Sequence, residues 1–226
     1  MNLRSNMHIL ATLIMLAACK NPDKPTETKS SPPASIPVPA KPAYKTFKNS
    51  VRENKIRLYG SLDTVTNYLF SLINEELYFY WKGTTWDFNG TTQIPQKGNI
   101  ACGYFVTNTL TDLGFSIQRV KLAQAPSSEM IKKLCVDIHW FTKFEELQTF
   151  LDRQPGKSIY LVGLDFHTGY ILKDSLQSYF LHSNYIKKEG VIKERIEESS
   201  ALRYNKAFMI GSLSSNKRLL EEWVRQ

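Results

Sequence analysis

Apolar residues in the first half of the chain recur at helical intervals; in the second half they gather into short runs. Behind Ser61-Leu62-Asp63, the positions Val65, Tyr68, Leu69, Leu72 and Ile73 predict an amphipathic helix that ends before Lys82-Gly83. Gly90, Pro95 and Gly98 break the pattern and mark residues 83–99 as a loop. A second helix begins near Cys102, with Phe105, Val106, Leu110 and Leu113 on one face and Gly114 as its stop. Ser127-Ser128-Glu129 opens a short helix through Leu134. Thr142-Lys143-Phe144-Glu145 has the capping-box pattern, with Phe144, Leu147, Phe150 and Leu151 as the buried face. From residue 158 the texture changes. Residues 158–164, 168–172, 178–182 and 207–213 are short apolar or aromatic runs parted by turn residues, the pattern of strands. Residues 214–225 close the chain as an amphipathic helix. Helices first and strands later predict an α+β domain, its N-terminal helices packed on an antiparallel sheet.

The ends divide the chain further. Arg4, the apolar run from Ile9 to Leu16, and Leu16-Ala17-Ala18-Cys19 make residues 1–18 an export signal, too short in its apolar part to span a bilayer. Leu16-Ala17-Ala18-Cys19 resembles the lipobox of bacterial lipoproteins. That resemblance implies cleavage before Cys19, lipidation of Cys19, and a place in the cell envelope on a bacterial membrane. Residues 19–44 are rich in Pro, Lys, Ser and Thr and poor in apolar residues, so they read as an extended tether. Residues 45–226 form one domain with a sizeable core.

The formal net charge is +8, but no basic helix or basic–aromatic run concentrates it. Nucleic acid is therefore not expected as a partner, and an anionic envelope polymer fits better. The sequence calls for no cofactor and no metal. Cys135 and His139 have the i, i+4 spacing of half a metal site, with no second half to complete it.

Of three cysteines, Cys19 is used by the anchor, which leaves Cys102 and Cys135. In an oxidising envelope the two could form a disulfide. Cys102, however, stands where a polar loop meets a helix, and a helix N-terminus favours thiolate over thiol. A cysteine nucleophile needs a base. His167 lies in Asp165-Phe166-His167-Thr168-Gly169-Tyr170; Asp165 shares its face if the strand continues through them, and Gly169 allows close approach. His182, or Asn184 two residues on, could orient that base from an adjacent strand.

Four segments in order resemble the NlpC-type cell-wall peptidases, a papain-like family. Gly83-Thr84-Thr85-Trp86-Asp87-Phe88-Asn89-Gly90-Thr91 is similar to the family's stretch before the nucleophile, and Ala101-Cys102-Gly103-Tyr104 to its Asp-Cys-Ser-Gly. His167-Thr168-Gly169-Tyr170-Ile171 is similar to its His-Val-Gly-Ile-Tyr strand, and Phe180-Leu181-His182-Ser183 to its Phe-Ile-His-Ala. The resemblance implies a papain-like fold, Cys102 as nucleophile, His167 as base, His182 as orienting group, and peptidoglycan stem peptides as substrate. Ala101 and Gly103 replace the family's Asp and Ser, and Trp86 stands where the family has a tyrosine. A lipoprotein that kept the fold to bind a partner is the alternative, with Cys102 inert or disulfide-bonded. A second is an acyl- or amide-transferring enzyme acting on a lipid or small molecule with the same residues.

Overall fold

The last four strand-like runs are apolar almost throughout rather than alternating, the pattern of strands buried on both faces. In the computed structural model, which describes residues 41–58 and 61–226, they are so buried. The export signal, Cys19 and residues 19–40 of the tether lie outside the described residues. Helix α1 (Tyr44–Lys55) begins at the last residue assigned to the tether. It is followed by α2 (Leu62–Ser71), which Ser61 caps by accepting from the Thr64 N–H. A π-helical stretch, Leu72–Leu77, carries the same helix into α3 (Tyr78–Trp81). Two short parallel strands, β1 (Thr85–Trp86) and β2 (Asn99–Ile100), bracket the glycine-rich loop. Then come α4 (Cys102–Asp112), α5 (Arg119–Gln124) and α6 (Ser127–Leu134).

The rest of the chain builds the sheet. Its strands are β3 (Val136–Phe141), β4 (Ser158–Gly163), β5 (Thr168–Lys173), β6 (Ser178–Asn184), β7 (Gly190–Arg195) and β8 (Phe208–Ser212). They lie in the order β3-β8-β4-β5-β6-β7, every pair antiparallel. Helices α7 (Phe144–Asp152) and α8 (Ser200–Arg203) interrupt them, and α9 (Lys217–Arg225) follows. The domain is α+β.

Each face of the sheet has its own core. Ile159, Leu161, Tyr170, Leu172, Leu181 and Met209 face the N-terminal helices, among them Leu69, Ile73, Trp81, Phe105 and Leu110. Tyr160, Val162, Ile171, Phe180, Phe208 and Ile210 face α7 and α8 through Leu147, Leu151 and Leu202. The helices expected on one face are thus joined by two more on the other.

Local rules account for most boundaries, with one shift. α7 starts at Phe144 behind Lys143, not behind Thr142, and no side chain caps it. The reciprocal half of the capping box survives one residue later, where the Thr142 N–H donates to Glu146.

Candidate active site

Cys102 is the first residue of α4, and no side chain caps that helix. The backbone N–H groups of its first turn are therefore free of a capping oxygen. Those of Cys102 and Gly103, together with the N–H of Thr168 on β5, hydrogen-bond the Cys102 sulfur. Two further ties hold α4 against the sheet. The Tyr170 hydroxyl donates to the Val106 carbonyl (3.0 Å) and lies 2.8 Å from the Thr109 hydroxyl. The Ser183 hydroxyl donates to the Ile100 carbonyl (2.7 Å), two residues before Cys102. The start of α4 is thus pinned to residues near both histidines.

Helix α4 meets α5 closely at Gly103. A Cβ there would sit 2.4 Å from the Ala123 carbonyl oxygen at the end of α5. Gly103→Ser should lower stability by about 1–3 kcal/mol through overpacking and displace Cys102. A thermal melt beside an activity assay checks this; a variant as stable and as active as the parent would contradict it.

His167 lies in the turn between β4 and β5, where the Leu164 N–H donates to the His167 carbonyl (2.8 Å). The strand does not run through Asp165, so Asp165 and His167 do not share a strand face as expected. The Asp165 N–H donates to Asn205 Oδ1 (3.1 Å), and the His167 ring turns to His182. His167 Nε2 and His182 Nδ1 are 2.8 Å apart, and His182 Nε2 lies 3.1 Å from Glu194 Oε1. His182 and Glu194 lie on the same face of the neighbouring strands β6 and β7. His182 pairs with Ile192 and Phe180 with Glu194, so Glu194 is the diagonal neighbour of His182. Gly169 makes room for this, because a Cβ there would come within 2.8 Å of His182 Cβ and 2.7 Å of the Phe180 ring.

The line of hydrogen bonds fixes the protons. A carboxylate only accepts, so His182 Nε2–H donates to Glu194. Neutral His182 then offers Nδ1 as an acceptor, and His167 Nε2–H donates to it. His167 is left with a lone pair on Nδ1. Burial pushes His167 well below the ordinary imidazole range, and His182 beside it adds to the effect. Burial also lowers His182, although Glu194 pulls the other way. Burial raises the Glu194 carboxyl, but hydrogen bonds from His182 and Ser199 outweigh it and hold the group below its ordinary value. The resting line is two neutral imidazoles on one carboxylate.

The sulfur departs from expectation. Burial pushes the half-buried Cys102 thiol up, and the three N–H groups around it only partly offset that rise. The helix terminus does not win, and the resting Cys102 is a thiol rather than a thiolate. Cys102 and Cys135 are both free. Cys135 is buried, its thiol pushed up by that burial, with a backbone hydrogen bond from Leu161. His139 is exposed on β3 and packs on Phe150, with ring centres 4.6 Å apart. Among the described residues no group of histidine, cysteine and carboxylate side chains could hold a metal ion.

Asn184 takes no part in the line. Its amide donates to Glu189 (2.8 Å) and its oxygen accepts the Ile186 N–H (2.9 Å), which shapes the β6–β7 turn. Sequence reading missed Glu194. The signal lay in Val191-Ile192-Lys193-Glu194-Arg195-Ile196, a strand apolar in its first half and charged in its second, which had to be paired with the His182 run before its carboxylate could be placed.

Cys102 and His167 line two adjoining cavities, of about 490 and 810 Å³. Trp86 forms part of the larger one, half-buried against Tyr185. No protein-family model matches the chain, and no curated protein or solved structure does either. Among the described residues no helix is long and apolar enough to cross a membrane.

Proposed function

We propose that this protein is a cysteine hydrolase that cleaves an amide bond through a thioester on Cys102, in a papain-like arrangement of nucleophile helix and sheet. One observation carries the proposal. The Glu194–His182–His167 line leaves a lone pair on His167 Nδ1, and His167 lines the same two cavities as Cys102. As the sulfur attacks the carbonyl carbon, the Cys102 proton passes to His167 Nδ1. The carbon–nitrogen bond breaks, and the leaving amine takes that proton. A water then gives its proton to His167, attacks the thioester and frees the acid; His167 returns the proton to the sulfur. His182 and Glu194 hold the imidazole in the required tautomer throughout and stabilise the charge it gains. The Cys102 and Gly103 N–H groups, which hydrogen-bond the resting sulfur and meet no capping side chain, would turn to the developing oxyanion. The lipobox-like end and the Pro-rich tether support a lipid-anchored place in the cell envelope, where peptidoglycan stem peptides supply amides within reach.

Incubation of the protein with p-nitrophenyl acetate, read by intact mass, tests the proposal. One acetyl group on Cys102, removable by hydroxylamine, is expected; acetylation confined to lysines would contradict it. Glu194→Gln tests the line itself. A glutamine can present its NH2 to His182 Nε2 and so reverse both tautomers, taking the lone pair from His167 Nδ1. Turnover should fall on the order of 10- to 100-fold, and loss of the carboxylate should move the acid limb of the rate to lower pH. A purely structural role for Glu194 would leave the acid limb in place.

A further inference from the structure

The two cavities meet at Cys102, Gly103, Ala123, Gln124, Phe166 and His167, so together they form a cleft that crosses the nucleophile. Their walls differ in chemistry. The larger is built around Trp86, Phe88, Tyr104, Phe166 and Tyr185, with only neutral polar groups between them. Phe88 and Phe166 are 79% and 97% exposed, which leaves two rings in water beside the candidate nucleophile. Large exposed aromatics grouped at a concave site gain free energy when a ligand covers them.

Charge narrows the ligand further. The chain has 29 lysines and arginines, yet among the described residues none lines either cavity. The one carboxylate at the cleft is Asp165, in the smaller cavity. An anionic group bound here would lose water and meet no cation, and the aromatic faces present their negative side to it.

We propose that the larger cavity selects an uncharged apolar group, aliphatic or aromatic, next to the scissile amide or ester, and that anionic substrates are excluded. The proposal rests on Cys102 being the nucleophile and names the substrate class of that same site. Within wall peptides, it restricts cleavage to bonds flanked on that side by a neutral residue. Trp86, Phe88, Phe166 and Tyr185 are the specificity-determining residues, since their rings form the surface the group would cover.

The test compares three alkylating probes on the full chain: N-benzyl-iodoacetamide, iodoacetamide and iodoacetate. Each forms a carbon–sulfur bond at Cys102 and expels iodide, and each rate is divided by that of the same probe with glutathione. The normalised rate for the benzyl probe should exceed that for iodoacetate by ~10-fold or more, the loss expected for an unpaired anion in a closed site. Phe88→Ala and Phe166→Ala should each lower the ratio of benzyl probe to iodoacetamide. Gln124→Lys, which adds a cation where the cavities meet, should raise the relative rate of iodoacetate. Equal normalised rates for all probes, or a preference for iodoacetate in the parent protein, would overturn the substrate class and leave the nucleophile standing. Labelling of Cys102 that His167→Ala leaves unchanged for all three probes would overturn the nucleophile, and the substrate class with it.

Discussion

Cys102→Ala should reduce amide or ester turnover on the order of 10⁴-fold or more while leaving the fold intact. The alanine methyl can form no thioester. The sulfur accepts only from backbone N–H groups, of Thr168 on β5 and of Cys102 and Gly103 at the start of α4, and alanine is the best helix former. Stability should therefore change by less than about 1 kcal/mol. A rate assay and a thermal melt on one preparation separate the two effects. Retained turnover with an unaltered melt would mean that the chemistry lies elsewhere.

His167→Ala should cost ~10³- to 10⁴-fold in turnover, the share of a positioned general base. The shape of the pH profile is the sharper sign. His167 acts when neutral, and burial keeps it neutral below the ordinary imidazole pKa of about 6.5. The parent rate should therefore hold as pH falls through about 6.5 and drop only at lower pH, where the His167–His182 pair gains a proton. Without His167, the sulfur must ionise unaided, and burial has raised its pKa. The variant's residual rate should then climb with pH through the alkaline range. A variant that loses rate but keeps the parent's pH profile would show that His167 only supports the fold.

What the sequence made legible follows from how local each signal is. Cys102 was visible because a loop of Gly90, Pro95 and Gly98 ends where helical spacing starts, and both signals lie within about twenty residues. The four central strands were visible because burial on both faces makes them continuously apolar. The strand β3 was not, since it is half-exposed and its pairing with β8 shifts between Val136 and His139, where Asp137 takes a left-handed backbone. The strand β7, at the sheet edge, is charged in its second half, so Glu194 looked like one more solvated residue. The state of the Cys102 thiol was the expectation that failed. A helix terminus is written in the sequence, but the burial that outweighs it arises only when β5 and α5 close around the sulfur.

The most direct test of the catalytic line is the rate of iodoacetamide labelling across pH, with Cys102 and Cys135 mapped separately. A thiol paired with a neutral imidazole exchanges its proton within the pair, so the reactive fraction is independent of pH between the two pKa values. Cys102 should label at a flat rate from below pH ~6.5 to above ~8.5, the buried Cys135 should stay unlabelled in the folded protein, and His167→Ala should abolish the plateau. A Cys102 rate that climbs about tenfold per pH unit with an ordinary thiol midpoint, unchanged by His167→Ala, would contradict the account.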